Sequence, residues 1–409
     1  MSIHPDFEAI SSEVEDYYGD FIEVINKGTN ERDRTASPIS REQLKKAGEL
    51  GLSGFTVAKE AGGQGRSHVE WGMALREFGR LCTDRALPLL LAYRQSVANM
   101  LFDTGRQDLI DRYVRPMVKG ECFGGFGWSE DKDPFSFETS IRKTSQGYVL
   151  DGQKIPIAGA QTADVFLVLA RREDEDLMVV LVERDDPGVE IKPYVATGLR
   201  ALGLGTVHFE GVRLSPDRII AERDGVSYGQ RFFNERRTTM PCWALGCIEA
   251  LFEHTVKELS QRIRYGLPVT EMQTVQAALG RVHVSMEASL QMILHSLNHV
   301  VSGEYNKVWD LTVTTGKYFV VEQALASLRT LQSIVGGAAV FAESPYERAM
   351  RDLHCLIPIA GTQQLLECDI GNRAITLAQM KFQQQRRRSI NEDPTFGQSA
   401  SLFGVSASI

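Results

Sequence analysis

This 409-residue sequence lacks a basic excess: 45 Lys and Arg stand against 53 Asp and Glu, a net charge of −8. Affinity for nucleic acid rests on neutralising phosphates, so general nucleic-acid binding is excluded. The one basic run, Arg386-Arg387-Arg388, lies in a polar stretch and reads as a solvated segment. There is no apolar run of about 18 residues, the length a spanning helix needs. Cysteine is scarce, with six residues at positions 82, 122, 242, 247, 355 and 368. None forms a Cys-x-x-Cys pair or meets histidines at zinc intervals, so neither a zinc module nor a disulfide framework is expected, and no metal site. The six are expected to be reduced and mostly buried. No Gly-rich phosphate loop occurs either, since Gly203-Leu204-Gly205 sits in a strand pattern and reads as a turn. The opening residues, MSIHPDFEAISSEVEDYY, combine no basic stretch with an apolar one. The expectation is a soluble, cytoplasmic protein with no membrane or nucleic-acid partner.

What is present is an ordinary globular composition, 43% hydrophobic and 24% charged. Residues 1–120 show helical period almost throughout. Ser40 with Gln43 forms a capping-box pattern, Gly62-Gly63-Gln64-Gly65 forces a turn, and helical runs follow over 69–81 and 87–104. A further segment is expected to start at Val114-Arg115-Pro116. From 121 to 228 the period falls to two, in short β-branched runs about ten residues apart, which suggests a compact β-sandwich or barrel. Helical period returns over 229–385, with predicted helices at 238–264, 271–303, 309–336 and 363–385, enough for a four-helix bundle. Residues 386–409 read as a flexible tail.

The stretch 334–367, IVGGAAVFAESPYERAMRDLHCLIPIAGTQQLLE, carries Gly336-Gly337, then Pro345-Tyr346-Glu347-Arg348, Arg351-Asp352 and Gly361-Thr362-Gln363-Gln364. This order resembles the C-terminal flavin and active-site segment of the acyl-CoA dehydrogenase superfamily. The order helical domain, central β-domain, helical bundle is that family's architecture, and the resemblance covers about 1–380. It implies a mainly α fold with a central β-domain and FAD as cofactor.

The site residues follow motif by motif. Phe126-Gly127-Trp128-Ser129-Glu130 matches the motif whose Thr-Glu contacts the flavin ring, with Trp128 facing it. Gly152-Gln153-Lys154-Ile155-Pro156-Ile157-Ala158 is similar to the family's Gly-x-Lys-x-Trp-Ile-Thr, with Pro156 in place of the Trp and Ala158 in place of the Thr. Arg262, Tyr265 and Gln273 match a motif that reaches across a dimer interface to a neighbour's FAD. Physically, a pyrophosphate favours a guanidinium and an adenine favours an aromatic neighbour. With Gly336, Gly337, Thr362 and Gln364 these residues are implied to bind FAD, in a homodimer or homotetramer.

Three departures bear on the chemistry. The family's usual catalytic base, the Glu before Gly-Thr, is Ala360 here, next to Gly361. Pro134-Phe135-Ser136 replaces a Gly-Ser-Asp that borders the thioester cleft in relatives. Some relatives carry the base on the first bundle helix, at a position that is Arg236 here, with Glu235 one residue, or about 100° of helix, away. Glu235 is therefore the candidate base, although an acid in a first helical turn is also what the helix dipole favours. Phe233, Asn234, Arg237, Ala360 and Gly361 are implied to contact substrate. His254 and His354 are nearest the inferred site in sequence terms, and neither receives a role.

The resemblance implies an FAD-dependent oxidoreductase acting on an acyl thioester, on CoA or an acyl carrier protein, with a place in specialised metabolism. An alternative is an oxygenase of the same fold, in which loss of Glu and Trp makes room for dioxygen. A second alternative, a non-catalytic flavin-binding relative, is disfavoured by the acidic charge.

Overall fold

Helices begin where a side chain can serve backbone N–H groups that lack an intrahelical acceptor. The computed structural model describes residues 7–131, 137–172, 176–301 and 310–392, with backbone alone at 301 and 386–392, and it divides into two compact units, residues 1–360 and 361–409. After helices α1 (Phe7–Lys27) and α2 (Thr29–Thr35), Ser40 and Gln43 close the expected capping box at the start of α3 (Arg41–Glu49). Ser67 and Glu70 do the same for α4 (His68–Leu81), and α5 (Ala86–Phe102) is buried along nearly its whole length. Two short turns, α6 (Gln107–Leu109) and α7 (Arg115–Val118), are joined by a π-helical stretch over Ile110–Val114. Pro116 thus falls inside a helical run that already began at Gln107.

The middle of the chain forms one eight-stranded sheet from β1 (Gly124–Gly127), β2 (Ser140–Thr144), β3 (Gly147–Ile157), β4 (Val165–Arg171), β5 (Leu177–Glu183), β6 (Val189–Pro193), β7 (Gly205–Leu214) and β8 (Ile219–Ala221). Its order is β6-β7-β3-β2-β4-β5-β8, and β1 pairs with β4 in parallel. Successive strand residues point to opposite faces. Val165, Leu167 and Leu169 accordingly enter a core shared with α5, while Phe166, Val168 and Ala170 enter a second core within the sheet. Burial on both faces explains why β4 and β5 read as unbroken apolar runs.

Helix α8 (Gly225–Gln261) packs against α4, α9 (Gln273–Val301) and α10 (Leu311–Val335). A small hairpin, β9 (Ile263–Arg264) and β10 (Leu267–Pro268), joins α8 to α9, and α11 (Pro345–His354) follows α10. The expected start of the first bundle helix at 238 is corrected to Gly225. Residues 225–237 bury Asn234, Glu235, Arg236 and Arg237, so they show no amphipathic stripe to announce the helix.

In the second unit, α12 (Gln363–Glu392) begins where Thr362 Oγ1 accepts the Leu365 N–H at 3.2 Å. It runs past 385 into the stretch expected to be a tail. The rest of that tail, and Pro134-Phe135-Ser136, lie outside the described residues. All six cysteines are free, but only Cys82, Cys242 and Cys247 are buried, so burial holds for half of them. Among the described residues no helix is long and apolar enough to cross a membrane.

Candidate active site

Strand β1 delivers Phe126, Trp128 and Ser129 to one end of the sheet. The Ile155 N–H donates to the Ser129 carbonyl at 2.8 Å, so the structure brings the two flavin motifs of the β-domain side by side. A buried ion pair locks them. Lys154 Nζ lies 2.6 Å from Glu130 Oε1 and also donates to the Trp128 carbonyl at 3.1 Å, while Glu130 accepts the N–H groups of Glu138 and Thr139. Burial pushes the Lys154 ammonium down to about 8, and the Glu130 carboxylate only partly restores it. Glu130 itself is held below its ordinary value: burial opposes ionisation, but Lys154 and the backbone amide of Glu138 outweigh it.

The aromatic side chains here are packed inward. Phe126 stacks on Phe232 of α8, with ring centroids 4.2 Å apart. Trp128 meets Phe233 and Phe137 edge-on and lies over Gly229, where an added Cβ would fall 1.7 Å from its ring. The positions left toward open space are Ser129 and Ala158, both half-buried, and Pro156, which is exposed. A planar ring seated against this edge would meet backbone and the Ser129 hydroxyl, so these residues fit a flavin ring.

The second group of expected FAD residues lies at the surface of the bundle. Arg262 caps α8, forms an ion pair with Glu258 and donates to the Val335 carbonyl at 2.7 Å, which ties the β9–β10 hairpin to the end of α10. Tyr265 is 97% exposed, Gln273 is exposed, and Gly336 and Gly337 have nothing within 4 Å of a built Cβ. An unpacked ring beside open backbone is the arrangement a large ligand or a second chain would cover. Gly361 has φ +103°, Thr362 caps α12 and Gln364 is exposed, all within the second unit.

The third group is on α8, and its members face different ways. Asn234 Oδ1 accepts the Asp310 N–H at 3.2 Å, at the residue whose carboxylate caps α10. Phe233 packs on Trp128. Arg237, fully buried, donates from Nε to the Ala360 carbonyl at 3.0 Å and from Nη1 to Thr314 Oγ1 at 3.2 Å. Ala360 is buried at φ +56°, a left-handed conformation that strains any residue bearing a Cβ. Lys317, one turn along α10 from Thr314, donates to the Ile357 carbonyl at 3.3 Å. Burial, and next the Arg237 charge, push its ammonium down to about 7.

Glu235 turns the other way, toward α5. It is buried, accepts a hydrogen bond from Ser96 Oγ, and lies 3.6 Å from Arg231. It sits about three turns into α8, so the first-turn dipole account does not apply to it. Arg236, also buried, donates to the same Ser96 oxygen at 2.5 Å. Burial lowers the His68 pKa, and among the charges acting on that ring are Glu235 and Arg236, so His68 belongs to this cluster. The histidines singled out in the sequence do not: His254 faces Glu258 and Tyr346, and His354 is exposed beside the Met350 carbonyl. Ser96 and Lys317 were invisible in apolar helices, whereas His68 directly follows the capping residue Ser67.

Family models describing the acyl-CoA dehydrogenase N-terminal, middle and C-terminal domains match residues 5–121, 126–212 and 223–375. A probable acyl-CoA dehydrogenase of Bacillus subtilis, YngJ, is 24% identical over 344 residues, covering 82% of this chain and 90% of its own length. Among solved structures, PigA with FAD and proline superposes with a TM-score of 0.84 at 19% identity, over 91% of this chain and 99% of its own. The prolyl acyl carrier protein oxidase AnaB superposes with a TM-score of 0.83 at 18% identity, over 91% of this chain and all of its own.

Proposed function

The chain belongs to the acyl-CoA dehydrogenase family of FAD-dependent oxidoreductases, and from that premise we propose that it oxidises an acyl thioester with Glu235 as the proton acceptor. The observation that carries the reading is a carboxylate held in a dry seam, on the same α8 turn whose Arg237 grips the segment where relatives carry their base. Bound FAD supplies the hydride acceptor. Ser129, Ala158 and the backbone around Pro156 would hold its ring. Arg262, Tyr265, Gln273, Gly336 and Gly337 would hold the remainder, those at the exposed surface reaching the FAD of a second chain in a homodimer or homotetramer.

The protein's own groups then do three things. Phe126, Trp128, Phe232 and Phe233 exclude water from the seam, which strengthens every polar contact inside it. Ser96 holds Glu235 Oε2 and Arg231 faces Oε1, and from this position Glu235 would take the proton α to the thioester carbonyl. Arg237 holds the Ala360 carbonyl at 3.0 Å, which fixes the segment where the family resemblance places the usual base. The thioester is carried by CoA or by an acyl carrier protein, the latter being what AnaB acts on by its name. The test is exchange of the substrate α-proton with deuterated solvent. Glu235→Gln should slow it by about 10²-fold or more with FAD still bound, and unchanged exchange would place the base elsewhere.

A second reading, oxygenation, rests on the exposed Pro156 and the small Ala158 and Ala360 side chains, at positions where the family resemblance implies larger ones. Product bearing label from isotopic dioxygen supports it, and unlabelled product removes it.

A further inference from the structure

One residue with no part in the chemistry, Tyr93 of α5, holds the flavin-facing end of β1. Among the described residues β1 has one strand partner, β4, which it meets over Gly124–Gly127. A strand residue turns its N–H and C=O toward the same edge, so alternate residues of β1 aim both groups away from β4. At Phe126 both groups are buried, and a single hydroxyl serves them. Tyr93 Oη donates to the Phe126 carbonyl at 2.8 Å and accepts the Phe126 N–H at 2.9 Å. Burial raises the Tyr93 pKa well above that of a free phenol, so the hydroxyl keeps the proton it donates. The ring is fixed in turn: it lies edge-on to Phe232, with centroids 5.0 Å apart, and Phe232 stacks on Phe126. Glycine makes the approach possible. Val97, one turn along α5 from Tyr93, would stand 2.5 Å from a Cβ at Gly124.

From Phe126 the chain runs through Gly127 and Trp128 to Ser129, whose hydroxyl borders the flavin seat. Lys154 takes the Trp128 carbonyl and Ile155 the Ser129 carbonyl, both from β3. Three holds, one from α5 and two from β3, therefore set the path of residues 126–129. Polar groups aimed at a ligand are worth most when their positions are set before it arrives. We propose that Tyr93 is a positioning residue for the flavin: by holding both backbone groups of Phe126 it sets the Ser129 hydroxyl and backbone against the ring before FAD binds. This rests on the reading that seats the flavin ring at Ser129.

The test combines amide hydrogen exchange of the FAD-free protein with FAD titration and the absorbance spectrum of the bound flavin, for wild type, Tyr93→Phe, Gln95→Leu and Ser129→Ala. Tyr93→Phe keeps the ring and orphans the two Phe126 groups. Exchange at the Phe126 amide should quicken, and the FAD dissociation constant should rise about 10-fold with a shifted flavin band, the scale of one buried hydrogen bond. Gln95→Leu strips α5 of its bonds to Thr56 and Leu52, a purely structural loss, and should leave flavin affinity and spectrum as in wild type. If Tyr93→Phe does not fold, the wild type decides. Its Phe126 amide should exchange as slowly without FAD as the amides of β4, and protection that appears only once FAD is bound overturns the inference. Unchanged exchange in Tyr93→Phe, or a Gln95→Leu variant that loses FAD as readily, also overturns it. Wild-type affinity and spectrum in Tyr93→Phe, with FAD weakened in Ser129→Ala, overturn the positioning role and leave the seat standing. FAD bound as in wild type by both variants overturns the seat at Ser129 as well.

Discussion

Replacing Lys154 by Met removes the cation from a pair whose side chains are 0% and 5% exposed. It also removes the donor to the Trp128 carbonyl. Breaking a buried pair from one side costs about 3–5 kcal/mol, because the remaining charge stays desolvated. Glu130 keeps two backbone donors, Glu138 N–H at 2.6 Å and Thr139 N–H at 3.2 Å, so the loss should lie at the low end, about 3 kcal/mol. Because Lys154 joins β3 to the Trp128–Glu130 turn, the loss should be local, faster hydrogen exchange at the Glu138 and Thr139 amides, together with easier loss of FAD on dialysis. The double variant Lys154→Met, Glu130→Leu leaves no orphaned charge and should recover most of the loss, about 2 kcal/mol. Urea unfolding followed by tryptophan fluorescence reads the stability, and absorbance reads the flavin. A Lys154→Met variant within about 0.5 kcal/mol of wild type, or a double variant as weak as the sum of its parts, would refute the reasoning.

Two further substitutions probe the same region. Gly229→Ala would put a methyl group 1.7 Å from the Trp128 ring and should destabilise by about 1–3 kcal/mol, with altered near-ultraviolet circular dichroism. Lys317→Met should flatten the pH dependence of stability. With the folded ammonium lowered from 10.5 to about 7, the unfolded chain holds the extra proton between those values, so wild-type stability gains up to about 1.4 kcal/mol per pH unit as pH rises through that window. Urea midpoints at about pH 7, 8 and 9 should rise less steeply in the variant.

How far the sequence discloses the molecule depends on which force sets each feature. Capping at Ser40 and the apolar runs of β4 and β5 are local or binary signals, and they stand where expected. The start of α8 was hidden for the opposite reason, since its first turns bury three consecutive charged residues that only tertiary contacts with α5 and α10 make tolerable. The motif spacing singles out Ser129, Pro156, Arg262 and Ala360 as candidates, but it cannot say which way side chains turn. Phe126 and Trp128 pack inward on α8, and Glu235 and Arg237 diverge by about 200° around the helix axis. Ser96, which links Glu235 to Arg236, is far away in the chain and carries no motif at all.

The measurement that bears most directly on the account is anaerobic mixing of the purified, FAD-loaded protein with a panel of acyl thioesters, on CoA and on carrier protein, while flavin absorbance is followed. The account requires that at least one thioester bleaches the flavin without dioxygen and that Glu235→Gln slows the bleaching by about 10²-fold or more. A flavin that stays oxidised with every thioester, or one that bleaches equally fast in Glu235→Gln, would contradict it.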